Sequence, residues 1–374
     1  MRVRALCVLG TRPEAIKLGP VVRALQQRHE ESDDIEVRVC ATAQHRELLD
    51  EGLRPFGIVP DHDLDVMRPD QHPASVAAAV LERLPAVLMA DEPTWVVVQG
   101  DTVSAAAAAL AAFYCGVRVA HVEAGLRTTH KWRPYPEELS RRVITTVADL
   151  HFAPTERARG ALLHENVNDA DIVVTGNPVV DAVRFVLEHH QRPERSTAAG
   201  HRQVLVTMHR RESFGDPLQR MCEAVRTIAE SGGDDVAVLL PVHPNPIVGD
   251  TVRRVLAAVP NVTLVDPLDY VSMVHALAAS DLVLTDSGGV QEEACALGIP
   301  TLVLREETER LEGVESGSLE LVGTDTALIV ERAIAKLAAA PTTGQLAAET
   351  PFGDGNASTR IVDALISRAQ IWSR

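Results

Sequence analysis

Asp281-Leu-Val-Leu-Thr-Asp-Ser-Gly-Gly-Val-Gln-Glu-Glu293 is the stretch on which the reading of this chain turns. Residues 282–285 are apolar and of a length that suits one buried strand. Asp286-Ser287-Gly288-Gly289 then breaks the run with turn chemistry, and residues 290–297 continue at helical spacing. Glu292 and Glu293 are expected in the first helical turn, where carboxylates meet the positive end of the helix dipole. A strand that turns through two glycines into a helix start is an anion cradle. The glycines let a phosphate approach the backbone, and free N–H groups point at it. The structural alternative is a capped helix behind a core strand, and the rest of the chain has to decide between the two.

The same alternation runs outward in both directions. Strands are predicted at 3–9, 36–40, 59–64 (edge-like), 95–99, 118–122, 150–153 and 172–175, then at 204–208, 236–240, 262–265, 282–285, 301–304 and 319–322. Helices fall between them, among them 14–29 behind the turn Gly10-Thr-Arg-Pro13, then 73–88, the alanine-rich 103–114 and 136–148, and a last one at 357–372. Near-continuous apolar strands imply parallel sheets covered on both faces. The fold class is therefore α/β, two doubly wound Rossmann-like domains, a division that 374 residues accommodate. The polar stretch 191–200, in a seam that begins at Thr175, reads as a linker and hinge.

Composition narrows the function. A net charge of −16 argues against nucleic-acid or anionic-membrane partners, which require a basic surface. Cys7, Cys40, Cys115, Cys222 and Cys295 are far apart and lie in or beside apolar stretches, so buried reduced thiols of a cytoplasmic protein are expected, with no disulfide framework and no metal site. The apolar start of the chain is too short for a signal peptide, and the run 105–117 is too short to span a bilayer. Ligands of doubly wound sheets sit at the carboxyl ends of the strands. There the chain places Arg12 and Lys17, Asp101, Glu123 and Arg127, His209-Arg-Arg-Glu212, His243 and the loop 286–293.

These segments carry a resemblance. Gly10-Thr-Arg-Pro-Glu-Ala-Ile-Lys17, Gln44-His-Arg46, Gln99-Gly-Asp-Thr102, His121-Val-Glu-Ala-Gly-Leu-Arg-Thr128, Pro136-Glu-Glu138, Thr175-Gly-Asn-Pro178, His209-Arg-Arg-Glu212, Pro241-Val-His-Pro-Asn-Pro246, the loop 285–293 and Thr308-Glu-Arg310 together resemble the non-hydrolysing UDP-N-acetylglucosamine 2-epimerases, collinearly and over nearly the whole chain. The resemblance implies a GT-B-type fold. Residues 1–177 would form the sugar and catalytic domain, 178–356 the UDP-binding domain across a cleft, and 357–374 a helix packing back on the first. It also implies a homodimer, a UDP-sugar substrate and no cofactor. The activity implied is interconversion of UDP-GlcNAc and UDP-ManNAc.

The residues supply the chemistry that this needs. The proton on C2 is not acidic, and no GxGxxG fingerprint supports oxidation by a bound dinucleotide. Departure of UDP from C1 would acidify it, so the reaction calls for cations and N–H groups on the diphosphate, a carboxylate base and an acid on the opposite face. From matching motif positions, Arg12, His209, Ser287, Gly288, Gly289 and Arg310 are expected on UDP, with Glu293 on the ribose. Asp101, Glu123 and Glu137 are the candidates for proton transfer, with Lys17 and Arg141 to tune them and His209 as a possible base; base and acid are not told apart. Relatives with a second, allosteric UDP-GlcNAc site point to Gln44, Arg68, Glu138, Arg211 and His243.

Two positions depart from the family pattern: Ser140 stands where asparagine is usual, and Leu311 where proline is. With the basic stretch 129–134, Ser140 raises a modified, even carboxylated, amino sugar as an alternative substrate. A hydrolysing epimerase, a GT-B glycosyltransferase and a non-catalytic UDP-sugar sensor are the other rivals.

Overall fold

In the computed structural model, which describes residues 2–42, 46–68, 71–128, 130–191, 201–339, 344–347 and 350–372, the apolar runs become interior strands of two sheets, one in each of two compact units. Met1–Ala182 with Gly353–Arg374 is one unit, and Val183–Phe352 is the other.

The first unit runs β1 (Val3–Leu9), α1 (Arg12–Ser32), β2 (Ile35–Ala41), α2 (Arg46–Leu53), β3 (His62–Asp63), α3 (Pro73–Asp91), β4 (Trp95–Gln99), α4 (Val103–Tyr114), β5 (Arg118–Val122), α5 (Glu137–Val147), β6 (Leu150–Ala153), α6 (Glu156–His164), β7 (Ile172–Val174) and α7 (Pro178–His189), and the division between units falls inside α7. Its strands lie in the order β3-β2-β1-β4-β5-β6-β7, and every pairing is parallel. The order reverses between β1 and β4, which makes their carboxyl ends the switch point of the sheet.

The second unit runs β8 (Arg202–Thr207), α8 (Asp216–Gly232), β9 (Val236–Pro241), α9 (Pro246–Leu256), β10 (Val262–Val265), α10 (Tyr270–Ala279), β11 (Leu282–Thr285), α11 (Gly288–Ala296), β12 (Thr301–Val303), α12 (Leu311–Glu315), β13 (Leu319–Leu321) and α13 (Thr326–Leu337). The order here is β10-β9-β8-β11-β12-β13, again all parallel, with the switch between β8 and β11. The final helix, α14 (Ala357–Trp372), returns to the first unit. There the Trp95 indole donates to the Leu365 carbonyl at 3.1 Å, and Arg28 pairs with Asp363.

Local sequence explains several boundaries. Thr11 is extended (φ −130°, ψ 161°), and the Glu14 side chain reaches back to accept from the N–H groups of Gly10 (2.8 Å) and Thr11 (2.7 Å), so α1 begins at Arg12 rather than at Glu14. It then runs to Ser32 through Pro20, and α3 likewise passes through Pro85 to Asp91, past the expected ends; burial of Leu18, Val21, Val22 and Leu25 in α1, and of Leu84 and Leu88 in α3, outweighs the missing proline N–H. The edge strand expected at 59–64 shrinks to His62–Asp63, because only Cys40 and Ala41 of β2 offer it partners. The alanines of α4 (105–109, 111, 112) are all buried, since small side chains let it lie close both to the sheet and to α3. The helix α3 is also long and apolar enough to cross a membrane, at a mean hydropathy of 1.4, yet its row Val76, Val80, Leu84 and Leu88 is buried in the core shared with α4. Cys115 corrects the expectation of five buried thiols: it ends α4 and is exposed, whereas the other four are buried.

Candidate active site

At the first switch point the loops behind β1 and β4 are tied together. The Glu14 carboxylate, which already bridges Gly10 and Thr11, also accepts from the Thr102 hydroxyl at 2.6 Å. Burial pushes its pKa up against the lowering effect of these donors. Next to Thr102 stands Asp101, and Arg141 of α5 grips it through Nε (2.9 Å) and Nη2 (2.7 Å). The third guanidinium nitrogen, Nη1, reaches Glu138 at 3.0 Å.

Glu123 lies one strand further along, just past the end of β5, with a left-handed φ of 64° that is costly for a residue other than glycine. Its buried carboxylate accepts from three side chains: Lys17 of α1, Gln99 at the end of β4 and Asn177 ahead of α7 (2.9 Å). Lys17 and Glu123 form a buried ion pair, with side chains 8% and 5% exposed. Gly100, at φ 71°, lets the chain turn over this carboxylate; a Cβ there would stand 3.7 Å from Glu123 Oε2. Behind it, the fully buried His121 donates from Nε2 to the Gly100 carbonyl at 2.8 Å, which makes it the Nε2–H tautomer, and burial pushes its pKa down to about 3.

Lys17 and Arg141 are thus each bonded to one of the proposed proton-transfer carboxylates. Glu137 is half-buried at the start of α5, one turn before Arg141. Arg12 is half-buried as the first residue of α1. Ser140 is buried, its hydroxyl turned to the Pro136 carbonyl at 3.4 Å. The cavity lined by Arg4, Glu36, Arg38 and Asp91 lies at the opposite, amino end of these strands and contains none of the site residues.

The second unit repeats the arrangement with different chemistry. At its switch point the buried Asp286 behind β11 accepts from the N–H groups of His209 (2.9 Å) and Arg210 (3.0 Å) and from His209 Nδ1 (2.8 Å), all behind β8. Burial pushes the Asp286 carboxyl up, but the His209 hydrogen bond and charge and the two backbone donors outweigh it and hold it below the usual range. The bond from Nδ1 to Asp286 fixes the orientation of the His209 ring. His243, behind β9, stands 5.8 Å from His209, ring to ring, and burial and that neighbour lower its pKa.

The stretch 286–293 differs from its sequence reading in two respects. Gly288 and Gly289 are the first residues of α11 rather than a turn, with Ser287 as N-cap, so Glu292 and Glu293 fall in the second helical turn. The two glycines also have different neighbours. A Cβ on Gly288 would stand 3.2 Å from the Arg310 guanidinium carbon, whereas one on Gly289 would meet nothing within 4 Å. Arg310 is held there by the buried Glu292, at 2.9 Å from both Nε and Nη2, and by Glu309 at 3.4 Å. Burial raises the Glu309 pKa, but Arg310 and Arg305 bring it down to about 2. Glu293 is buried.

The residues expected at a second site are divided between the two units. Gln44 lies outside the described residues. Arg68 is in an exposed loop of the first unit, beside Asp65 (3.6 Å). Glu138 is fully buried and takes Arg141, Arg142 (2.9 Å) and the Thr128 N–H (3.1 Å), which makes it the organiser of α5. Exposed Arg211 and half-buried His243 belong to the second unit. Among the residues that sequence reasoning passed over, Gln99 and Asn177 stand out. Both lay inside the quoted motifs, but a neutral amide carries no signal until its partner is known.

Two parallel sheets of this order, each with charged side chains at its switch point, define the GT-B class: two Rossmann-like domains in one chain. The profile of the UDP-N-acetylglucosamine 2-epimerase family matches residues 27–366. A UDP-N-acetylglucosamine 2-epimerase of Yersinia pestis is 45% identical over 374 residues, 97% of this chain and 98% of that one. The crystal structure of a Neisseria meningitidis UDP-GlcNAc 2-epimerase bound to UDP-GlcNAc is similar at a TM-score of 0.88 and 38% identity, covering 98% of this chain and all of that one. That of a Methanocaldococcus jannaschii UDP-GlcNAc 2-epimerase in complex with UDP-GlcNAc and UDP gives 0.82 and 31%, with coverage of 98% and 100%. The chain belongs to the UDP-N-acetylglucosamine 2-epimerase family.

Proposed function

We propose that this protein interconverts UDP-GlcNAc and UDP-ManNAc without net hydrolysis, by elimination and re-addition of UDP. In the first step the C1–O bond breaks and its electron pair leaves with UDP. A carboxylate takes the C2 proton, and the C–H pair becomes the C1=C2 bond of 2-acetamidoglucal. In the return step a UDP oxygen re-bonds to C1 while a proton is delivered to C2 from the opposite face. Asp101, Glu123 and Glu137 are the groups assigned to these transfers. The observation that carries the reading is the preorganised pair of carboxylates behind β4 and β5, Asp101 held by Arg141 and Glu123 held by Lys17, in a member of this family. Charged groups held rigidly where charge develops need no reorganisation during the reaction.

The second unit is assigned to the nucleotide. The amino end of α11, with Ser287, Gly288 and Gly289, gives N–H donors for the diphosphate. His209 and Arg310 are assigned as side-chain donors, and Glu293 is assigned to the ribose hydroxyls. A carboxylated amino sugar is the second reading, favoured by exposed Lys131 and Arg133 in the loop whose Arg133 carbonyl is tied to Thr128 at 2.6 Å.

Incubation with UDP-GlcNAc in deuterated water is the test. Deuterium should enter C2 in proton NMR while phosphorus NMR shows the UDP-sugar persisting. Net release of UDP would identify a hydrolysing enzyme, and failure of C2 exchange with every UDP-amino sugar offered would end the epimerase reading. Glu123→Gln should lose at least a hundredfold in exchange rate and keep its UDP affinity.

A further inference from the structure

We infer that Asn177, together with Gln99, is a positioning residue for Glu123: the two amides fix the plane of this carboxylate and favour its ionised form. The inference rests on the assignment of Glu123 to proton transfer. Asn177 is buried, 1% exposed, in the turn between β7 and α7. Its two ends have separate tasks. The Oδ1 atom accepts the Val179 N–H at 3.1 Å, at the start of α7. A backbone N–H meets only the oxygen end of an amide, so the orientation of the group is determined and Nδ2 is left facing Glu123 Oε1 at 2.9 Å. Gln99, 3% exposed, donates from the other side to Oε2.

The turn that carries Asn177 is itself braced. The Arg360 guanidinium of α14 donates to the Thr175 carbonyl at 3.0 Å, and its other contacts, at 2.7 and 2.8 Å, are to Asp354. Gly353, at φ 113°, lies so close that a Cβ on it would stand 2.9 Å from the Cα of Gly176. The amide therefore meets Glu123 from a fixed base, as preorganisation requires. Lys17 supplies the compensating charge, but an ammonium is a rotating point donor, and two planar amides on two different oxygens determine orientation. They also help to hold Glu123 at its left-handed backbone angle.

The test exploits the divided tasks of Asn177. Asn177→Asp keeps the volume and keeps an oxygen for the Val179 N–H, but it replaces a donor with a second carboxylate against Glu123. Two carboxylates in such contact do not both ionise, and one holds a proton. The acid limb of the pH profile of kcat for C2 deuterium incorporation should then move up by about one pH unit or more, with about a tenfold loss at pH values below the parent's limb, recovery in alkali, and an unchanged KM. Gln99→Glu, which leaves the α7 cap untouched, should shift the limb in the same direction and carries the same test should Asn177→Asp fold poorly. Asn177→Ser, which retains a capping hydroxyl without reaching the carboxylate, should lower kcat at every pH. A merely structural Asn177 would leave the acid limb of folded Asn177→Asp in place, and that result, repeated in Gln99→Glu, overturns the inference. Glu123→Gln is measured alongside: if it still exchanges, the assignment of Glu123 itself has failed, whereas its loss with unmoved limbs in the other variants rejects the positioning role alone.

Discussion

Lys17 and Glu123 show at the scale of single residues why site chemistry and stability are coupled here. Both side chains are nearly out of water and compensate each other, so removing one strands the other's charge. Lys17→Met should cost about 3 kcal/mol or more of unfolding free energy in urea titrations, far beyond what a surface ion pair contributes. Its C2 exchange should fall as well. A variant within about 0.5 kcal/mol of the parent would mean that water reaches the pair and screens it. At this scale the charged candidates were legible in the sequence, because Asp101, Glu123 and Lys17 sit in motifs that follow strands and Arg141 lies in the helix that Pro136-Glu-Glu138 opens. The amides Gln99 and Asn177 were not, nor was the buried role of Glu138, since nothing in a residue's identity says which oxygen it will face.

At the scale of elements, α11 and α14 invite complementary tests. Gly289 is helical with open space where a side chain would go, whereas the room beside Gly288 is filled by Arg310. Gly289→Ala should therefore leave the fold intact, or stabilise it by up to about 1 kcal/mol through helix propensity. The added methyl should nevertheless weaken UDP binding by calorimetry, because it occupies the approach to the helix start; unaltered affinity would move the diphosphate elsewhere. Helix α14 depends on Asp181 of α7, whose carboxylate accepts the N–H groups of Ala357 (3.2 Å) and Ser358 (2.8 Å) at its amino end. Asp181→Ala removes this cap and should cost about 1–2 kcal/mol, read as a lowered Tm. The start of α14 was visible in the helical spacing of 357–372, but the residue that caps it lies far back in the chain, beyond any local signal.

At the scale of the whole molecule, pH acts through buried histidines. His121 and His151 face each other across β5 and β6, nearly without exposure, and burial pushes their pKa values down to about 3 and about 4 from an ordinary 6.5. As pH falls, the unfolded chain takes up protons first. The stability these groups support is therefore complete above about pH 6.5 and is lost progressively from 6.5 towards 4 for His151 and towards 3 for His121. In that window each such histidine steepens the dependence by up to about 1.4 kcal/mol per pH unit. Urea unfolding at a series of pH values should show the decline, and His151→Asn should flatten it by nearly one proton. An equal slope in the variant would show that His151 is protonated in the folded state too.

The sequence by itself determined the alternation of strand and helix, the parallel character of both sheets and the edge at which the charged residues gather, because continuous apolar runs and turn-forming residues act over a few positions. It also determined the family, through motifs in a common order. Only the tertiary structure decided which residues meet: that Glu123 is held by Lys17, Gln99 and Asn177, that Asp286 is held by His209, and that Arg310 rather than an open approach fills the space beside Gly288. These contacts join residues from 22 to 106 positions apart, and they arise when the strand order reverses beside β1 and again beside β8. Pairing of strands is a long-range choice, and at each switch point it brings the loops of non-consecutive strands together.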